Sequence, residues 1–225
     1  MKKYKYECHC HTTLMSPCGK TDPAVTVREY IKAGYDGIYI TDHLFAQNPL
    51  NKYSELSWKE VVDNHFKGFN AVSDATDGKI DIFCGAELRI ADSVNDYLIY
   101  GVNKTFFYEH DLISMTLAQV SEAVRKNGGL LVQAHPFRSG MKIADPKLLD
   151  GIETYNGNFR HDSRNDIAKI WADKHDLIKL SGSDFHQIED LARGGIMTNH
   201  KIESEKDFAI TIKSGNYSII ETFGE

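Results

Sequence analysis

Three observations on this chain predict an α/β fold, a distorted seven-stranded βα barrel of the TIM-like kind. Short apolar runs alternate with amphipathic helical stretches, the pattern of successive βα units. Side chains able to bind a metal or move a proton recur at or just past the ends of those runs: His9 and His11, Asp42 and His43, Glu87, His135, and Asp184 with His186. In a βα barrel the C-terminal strand ends converge on one rim, where the chemistry is done. Finally, no linker, repeat or low-complexity segment interrupts the 225 residues, so a single domain spanning 1–225 is expected. An open doubly wound sheet is the structural alternative; it would gather its ligands at one switch point. Ligands drawn from five separate strands favour the ring.

The elements follow in order. The first strand ends at His9-Cys10-His11, and a loop carrying Ser16-Pro17-Cys18-Gly19 comes next. Asp22 is the N-cap of a first helix with Pro23 at its first position, and Gly34 is its stop signal. Residues 37–41 form the second strand. Ser57-Trp58-Lys59-Glu60 reads as a capping box, behind which Val62, Phe66, Phe69 and Val72 share one helical face. Residues 80–86 form the third strand and 97–102 the fourth. Thr116-Leu117-Ala118-Gln119 is a second capping box; its helix ends near Gly128-Gly129, ahead of a fifth strand over 130–134. A sixth strand spans 151–155, a helix 165–175, and a seventh strand 178–181. A last helix over about 205–213 ends at Gly215, before an extended run over 217–220.

Composition narrows the function. The hydrophobic content of 41% and charged content of 26% are ordinary for a globular protein. With no 18-residue apolar run, no membrane span or membrane partner is expected. The start, Met1-Lys2-Lys3-Tyr4, leads into a strand without the apolar stretch of a signal peptide. Four cysteines do not make a disulfide scaffold, so a reducing cytoplasm is the expected compartment. Net charge is −6 with no long Lys/Arg run, which disfavours duplex nucleic acid as a partner.

The site reads residue by residue. His9 and His11 are two apart on a strand and face one side; Cys8 and Cys10 are expected to face the helix layer. Asp184-Phe185-His186 repeats that spacing far along the chain. Glu87 ends a buried strand, where a carboxylate needs a cation or hydrogen-bond donors; a metal-bridging role would satisfy both oxygens, and a salt bridge with Arg89 or another residue is the alternative. Of Asp42 and His43, one binds metal while the other orients a ligand. His65, His110, His175 and His200 read as helix-surface or loop residues.

Together, His9-Cys10-His11-Thr12, Ile40-Thr41-Asp42-His43, Gly85-Ala86-Glu87, Ala134-His135-Pro136 and Ser181-Gly182-Ser183-Asp184-Phe185-His186 resemble the polymerase-and-histidinol-phosphatase (PHP) family, over about residues 4–195. The resemblance implies a distorted barrel of the PHP type and two or three divalent transition metals, zinc, manganese or iron. Carried over by position, His9, His11, Glu87 and Asp184 would hold a first metal. Glu87 would bridge to a second with His135, and His43 and His186 would belong to a third. Two departures stand out. The loop that in the family carries an Asp or His here holds Cys18, which is either a thiolate ligand or a plain loop residue. The fourth-strand His of the family is missing, and Asp96 either replaces it or leaves that position without a ligand.

The function implied is hydrolysis of a phosphate ester by a metal-activated hydroxide, on a small phosphorylated substrate. Glu87, Asp184, His186 and His43 are the candidate catalytic residues; whether His186, His43 or a water protonates the leaving group is left open. Arg138 and Arg160 lie in loops expected to reach the same rim, where guanidinium groups grip phosphate with two donors. His161, in the same region, reads as a surface histidine before a proton donor, and Glu153 and Asn156 as hydrogen-bonding groups around the site. The rival readings are a metallohydrolase of C–N or C–O ester bonds and a metal-binding accessory domain without catalysis.

Overall fold

Capping residues set where the helices begin. In this computed structural model, which describes residues 2–91 and 93–222, Asp22 accepts the Ala24 N–H at 2.9 Å and opens α1 (Pro23–Lys32). Ser57 and Thr116 form the two expected capping boxes and open α2 (Trp58–Asp74) and α4 (Leu117–Lys126). Each such cap contributes roughly 1 kcal/mol. Helices α5 (Asn165–His175) and α6 (Glu205–Lys213) take the expected bounds. The short α3 (Lys104–Glu109), capped by Asn103, was not expected.

The strands are β1 (Tyr4–Cys10), β2 (Gly37–Ile40), β3 (His43–Leu44), β4 (Asp81–Cys84), β5 (Ala86–Leu88), β6 (Tyr97–Tyr100), β7 (Leu130–Gln133), β8 (Gly151–Asn156), β9 (Ile178–Gly182), β10 (Gly194–Thr198) and β11 (Tyr217–Glu221). They form a mixed α/β fold with two sheets, in the orders β11-β10-β1-β2-β4 and β3-β5-β6-β7-β8-β9. Among the described residues the strand count thus differs from the seven expected, and no closed barrel is seen. The third expected strand breaks at Gly85: β4 pairs with β2 in the first sheet, whereas β5 pairs with β3 and β6 in the second. A side chain at Gly85 would lie 2.8 Å from the Ile99 carbonyl oxygen, so only glycine lets the chain pass. On the other side, the sheets meet at one isolated bridge, Cys10 with Phe185. There His11 N–H donates to Phe185 O at 2.9 Å and Phe185 N–H to His9 O at 3.0 Å.

Two strands run against the expected parallel order. β6 is antiparallel to β5 and β7, because the short connection 89–96 is too brief for the crossover that a parallel pair needs. β10, unexpected from the sequence, is antiparallel to β1 and β11.

Apolar clusters fix these layers. Phe208 of α6 packs on Tyr39 and Tyr100, with ring centroids 4.5 and 5.4 Å apart, in a cluster that draws on both sheets. Cys10 packs under α1 with Val27 and Tyr30, as expected. Cys8 does not; it lies in the cluster with Leu98, Tyr100 and Val132. The reason is an irregularity in β1 between Glu7 and Cys10, where Glu7 Oε1 accepts the N–H groups of both Cys8 and His9 at 2.9 Å. His65 is likewise buried rather than on the helix surface, its Nε2 3.1 Å from Gly85 O.

Candidate metal centre

The strand ends bring the expected side chains to one spot. His9 lies within β1 and His11 just past it; His43 is on β3, Glu87 on β5, His135 just past β7, and Asp184 and His186 just past β9. Glu87 is the hub. Its Oε1 lies 3.0 Å from His135 Nε2 and 3.4 Å from His9 Nε2; its Oε2 lies 2.6 Å from His43 Nδ1 and 3.5 Å from His11 Nε2. The carboxylate of Asp184 faces the same histidines: its Oδ1 is 3.4 Å from His9 Nε2 and 3.5 Å from His11 Nε2. Among the described residues, three groups are close enough to share an ion: His9, His11 and Asp184; Glu87, Asp96 and His135; His11, His43 and His186.

The second nitrogen of His9, of His11 and of His186 is held from behind. His9 Nδ1 lies 3.0 Å from Glu153 Oε1, and His186 Nδ1 lies 2.9 Å from the Asp184 carbonyl oxygen. His11 Nδ1 is 2.9 Å from Ser16 Oγ, whose hydroxyl donates to Asp42 Oδ1 at 2.8 Å. Acceptors at Glu153 and at the Asp184 carbonyl put the proton on Nδ1 of His9 and His186 and leave the Nε2 lone pairs free, the arrangement of metal-binding histidines. Asp42 therefore takes the orienting role and His43 the central one: Asp42 also accepts from the Thr12 N–H and hydroxyl, both at 2.7 Å.

These donor atoms fit divalent metals. His9 Nε2 and His11 Nε2 are buried without a hydrogen-bond partner, and His43 Nδ1 and Glu87 Oε2 have only each other, at 2.6 Å. Each such group costs about 1–3 kcal/mol unless something pairs with it, and a cation among imidazole and carboxylate atoms pairs with all four. The carboxylates and imidazoles hold one another charged: burial works against His9 and His43, but Asp184 beside the first and Glu87 beside the second outweigh it and raise both. Burial pushes Glu87 up, but His43 and His9 hold it well below the usual carboxylate range. Burial likewise opposes, and His9 and His11 outweigh, so Asp184 also stays ionised. Burial, with His186 and His43 alongside, drives His11 well below the ordinary imidazole value, toward the neutral ligand form. Two ligand candidates occupy the left-handed backbone region without being glycine, His135 at φ +29° and Asp184 at φ +50°. Strain of this kind, about 1–3 kcal/mol per residue, gathers at functional sites.

The remaining candidates divide. Asp96 reaches the Glu87–His135 group, but both of its oxygens are taken by Arg89, at 2.7 and 2.8 Å. Arg89 thus pairs with Asp96 and not with Glu87. Cys18 Sγ lies 3.3 Å from His43 Nε2. Burial pushes its thiol up, but His186 and His43 pull further, to about 6. Arg138 and Arg160 line the adjoining cavity of about 370 Å³. Arg138 Nη2 donates to Asp184 Oδ2 at 2.7 Å and Asn156 Oδ1 at 3.0 Å, and Arg160 pairs with Asp190. Both reach the rim as expected, and both also brace protein groups there. Lys20 lines the same cavity and the sequence reading missed it; nothing in its loop marks it. Glu7 was also missed, although a carboxylate between Tyr6 and Cys8 in an apolar strand was a readable sign. It accepts from Ser183 N–H at 2.9 Å, from the Ser183 hydroxyl and from Tyr30 OH at 2.8 Å, tying β1 to the segment that carries Asp184.

Residues 162–217 match the family described as PHP-associated. The segment includes Asp184 and His186, and the resemblance read from the sequence covers the motifs before it. Over residues 162–217 the chain is similar to that family. Solved structures share the fold of the chain. PsfC from Pseudomonas syringae superposes with a TM-score of 0.72 at 17% identity, over 99% of this chain and 93% of its own. A proposed metal-dependent phosphoesterase from Bifidobacterium adolescentis gives 0.54 at 16% identity, over 81% and 87%. An amidohydrolase from Chromobacterium violaceum, solved with sulfate bound, gives 0.57 at 14% identity, over 96% and 97%. No curated protein matches the sequence. No helix among the described residues is long and apolar enough to cross a membrane.

Proposed function

We propose that this chain is a metal-dependent hydrolase that cleaves a phosphate ester of a small molecule. One observation carries the reading: Glu87 sits among four imidazoles, with unpartnered buried ligand atoms facing it, at the floor of a cavity of about 370 Å³ that Lys20, Arg89, Arg138 and Arg160 line. Two or three divalent ions held by His9, His11, His43, Glu87, His135, Asp184 and His186 would supply a water acidified toward neutral pH and positive charge at the phosphoryl oxygens.

The protein's own groups do the rest. Glu153, the Ser16–Asp42 pair and the Asp184 carbonyl keep the histidine rings oriented. Lys20, Arg138 and Arg160 attract the anion, and the guanidinium forks orient it. His161 lines the cavity and belongs to none of the three ligand groups, so it is the histidine free to hand a proton to the leaving oxygen. A phosphorylated small molecule suits a cavity of this volume and charge better than a polymer. The likeness to a proposed phosphoesterase supports the reading; the likeness to an amidohydrolase keeps C–N hydrolysis as the second one.

The deciding experiment is a substrate panel of phosphomonoesters, phosphodiesters, amides and lactones. It is run with metal-free protein reconstituted with zinc, manganese or iron. Turnover of phosphate esters that Glu87→Gln abolishes is expected. Turnover of amides or lactones with none on phosphate esters overturns the proposal in favour of the second reading.

A further inference from the structure

We infer that Cys18, with His43 and His186, makes a thiolate-containing corner of the metal centre that takes a thiophilic ion, zinc in preference to manganese or magnesium. The inference rests on the proposed metal centre and not on its substrate.

The geometry starts with the sulfur. Cys18 Sγ lies 3.3 Å from His43 Nε2, on the side of that ring opposite the Nδ1 that faces Glu87. His186 has its Nδ1 at the Asp184 carbonyl, so its Nε2 is free for the same corner. The loop that carries the thiol is pinned. Lys20 N–H donates to His186 O at 2.7 Å, Gly19 N–H to Ser16 O at 2.8 Å, and His43 N–H to Ser16 Oγ at 3.2 Å. A side chain at Gly19 would lie 2.6 Å from Thr12 O, so the chain passes there only as glycine. Backbone bonds therefore hold Cys18 beside both histidines.

A second observation points to an ion. His11 Nε2 is buried without a partner, and its ring centroid lies 4.4 Å from that of His43 and 4.2 Å from that of His186. This His11–His43–His186 group contains no carboxylate, whereas the other two ligand groups each do. Imidazole and thiolate are the softer donors and favour zinc; carboxylate oxygens suit manganese and magnesium. One centre thus offers positions of two chemical kinds. The other three cysteines, Cys8, Cys10 and Cys84, are buried in apolar clusters, so any sulfur signal from the centre belongs to Cys18.

The test is a cobalt titration of the metal-free full-length protein, followed by absorption. A thiolate-to-cobalt charge-transfer band in the near ultraviolet is expected in the wild type and absent in Cys18→Ser. The variant should keep the visible cobalt bands of the imidazole and carboxylate positions. In zinc competition, Cys18→Ser should weaken one equivalent at least tenfold, with manganese binding unchanged. A folded wild type that binds cobalt without the band overturns the inference, as does a Cys18→Ser protein with wild-type zinc affinity. Presence of the band without phosphate-ester turnover would instead remove the functional proposal and leave this one standing.

Discussion

Glu153 tests the whole arrangement from one step behind the ligands. Its Oε1 faces His9 Nδ1 at 3.0 Å, while its Oε2 accepts the His135 N–H at 2.9 Å and the Asn156 amide at 2.8 Å. A carboxylate accepts at both ends. Glutamine keeps the volume but must present a donor at one of them. If its NH2 faces His135 and Asn156, donor meets donors in a buried place, at about 1–3 kcal/mol. If its NH2 faces His9 instead, His9 must accept at Nδ1 and carry its proton on Nε2, where it no longer binds metal. Neither orientation escapes, so Glu153→Gln should lower metal affinity by the roughly 10–100-fold typical of groups that support a ligand. That is about 1.4–2.7 kcal/mol. Competition against a chromophoric chelator measures it, with circular dichroism to confirm the fold. Metal affinity within twofold of wild type, in a folded variant, would refute the claim that Glu153 sets the His9 tautomer.

Other variants probe separate links. Gly182→Ala would bring a Cβ within 2.4 Å of His9 Cβ and 3.1 Å of His9 N, and these backbone-anchored atoms cannot retreat. Overpacking of about 1–3 kcal/mol is expected, read as a lower melting temperature, and an unchanged melt would contradict the packing. Arg138→Lys should cut metal affinity as well as catalytic efficiency, because its Nη2 braces Asp184. Arg160→Lys, whose partner is Asp190, should cut efficiency about tenfold to a hundredfold with metal content unchanged. Equal metal affinities in the two variants would remove the bracing role of Arg138. Burial lowers His65 from 6.5 to about 4. The unfolded chain therefore takes up this proton first, and the folded state loses stability as pH falls from about 6.5 to about 4, by up to about 3 kcal/mol. His65→Gln, which can still donate to Gly85 O, should flatten that part of the stability profile; identical profiles in denaturant melts would dismiss His65 as the cause.

Local signals were the most legible part of the chain. Asp22, Ser57 and Thr116 declared their helices because a cap is chosen by the residues that form it. The ligands were legible for a similar reason: charged and imidazole groups at the ends of apolar runs have few places to go but a shared site. What the sequence concealed was pairing. Gly85 looks like one more residue of an apolar run, yet the close approach of Ile99 O makes it the break where β4 leaves one sheet and β5 joins the other. β10 escaped notice because it opens on Gly194-Gly195, residues of low strand propensity that here let the strand pass close to Gly182 and Tyr6. Cys8 was misassigned because strict alternation fails once Glu7 draws two successive N–H groups to one oxygen. Arg138 and Arg160 could be assigned to a rim from the sequence, but not to Asp184 and Asp190, since those partners lie far along the chain.

The breaks and the ligands are connected. Bending at Gly85 and at residues 41–42 moves β3 and β5 out of the line of the first sheet and pairs His43 with Glu87 directly. A straight strand would carry these two residues in the direction of the first sheet, away from His135 on the second. The bends, together with the left-handed backbone at His135 and Asp184, draw groups from both sheets around a single carboxylate. Glu7 then locks the result from the opposite side by holding Ser183, one residue before Asp184, to the strand that bears His9 and His11. The irregularities that a pattern of regular strands could not foresee are therefore the ones that assemble the site.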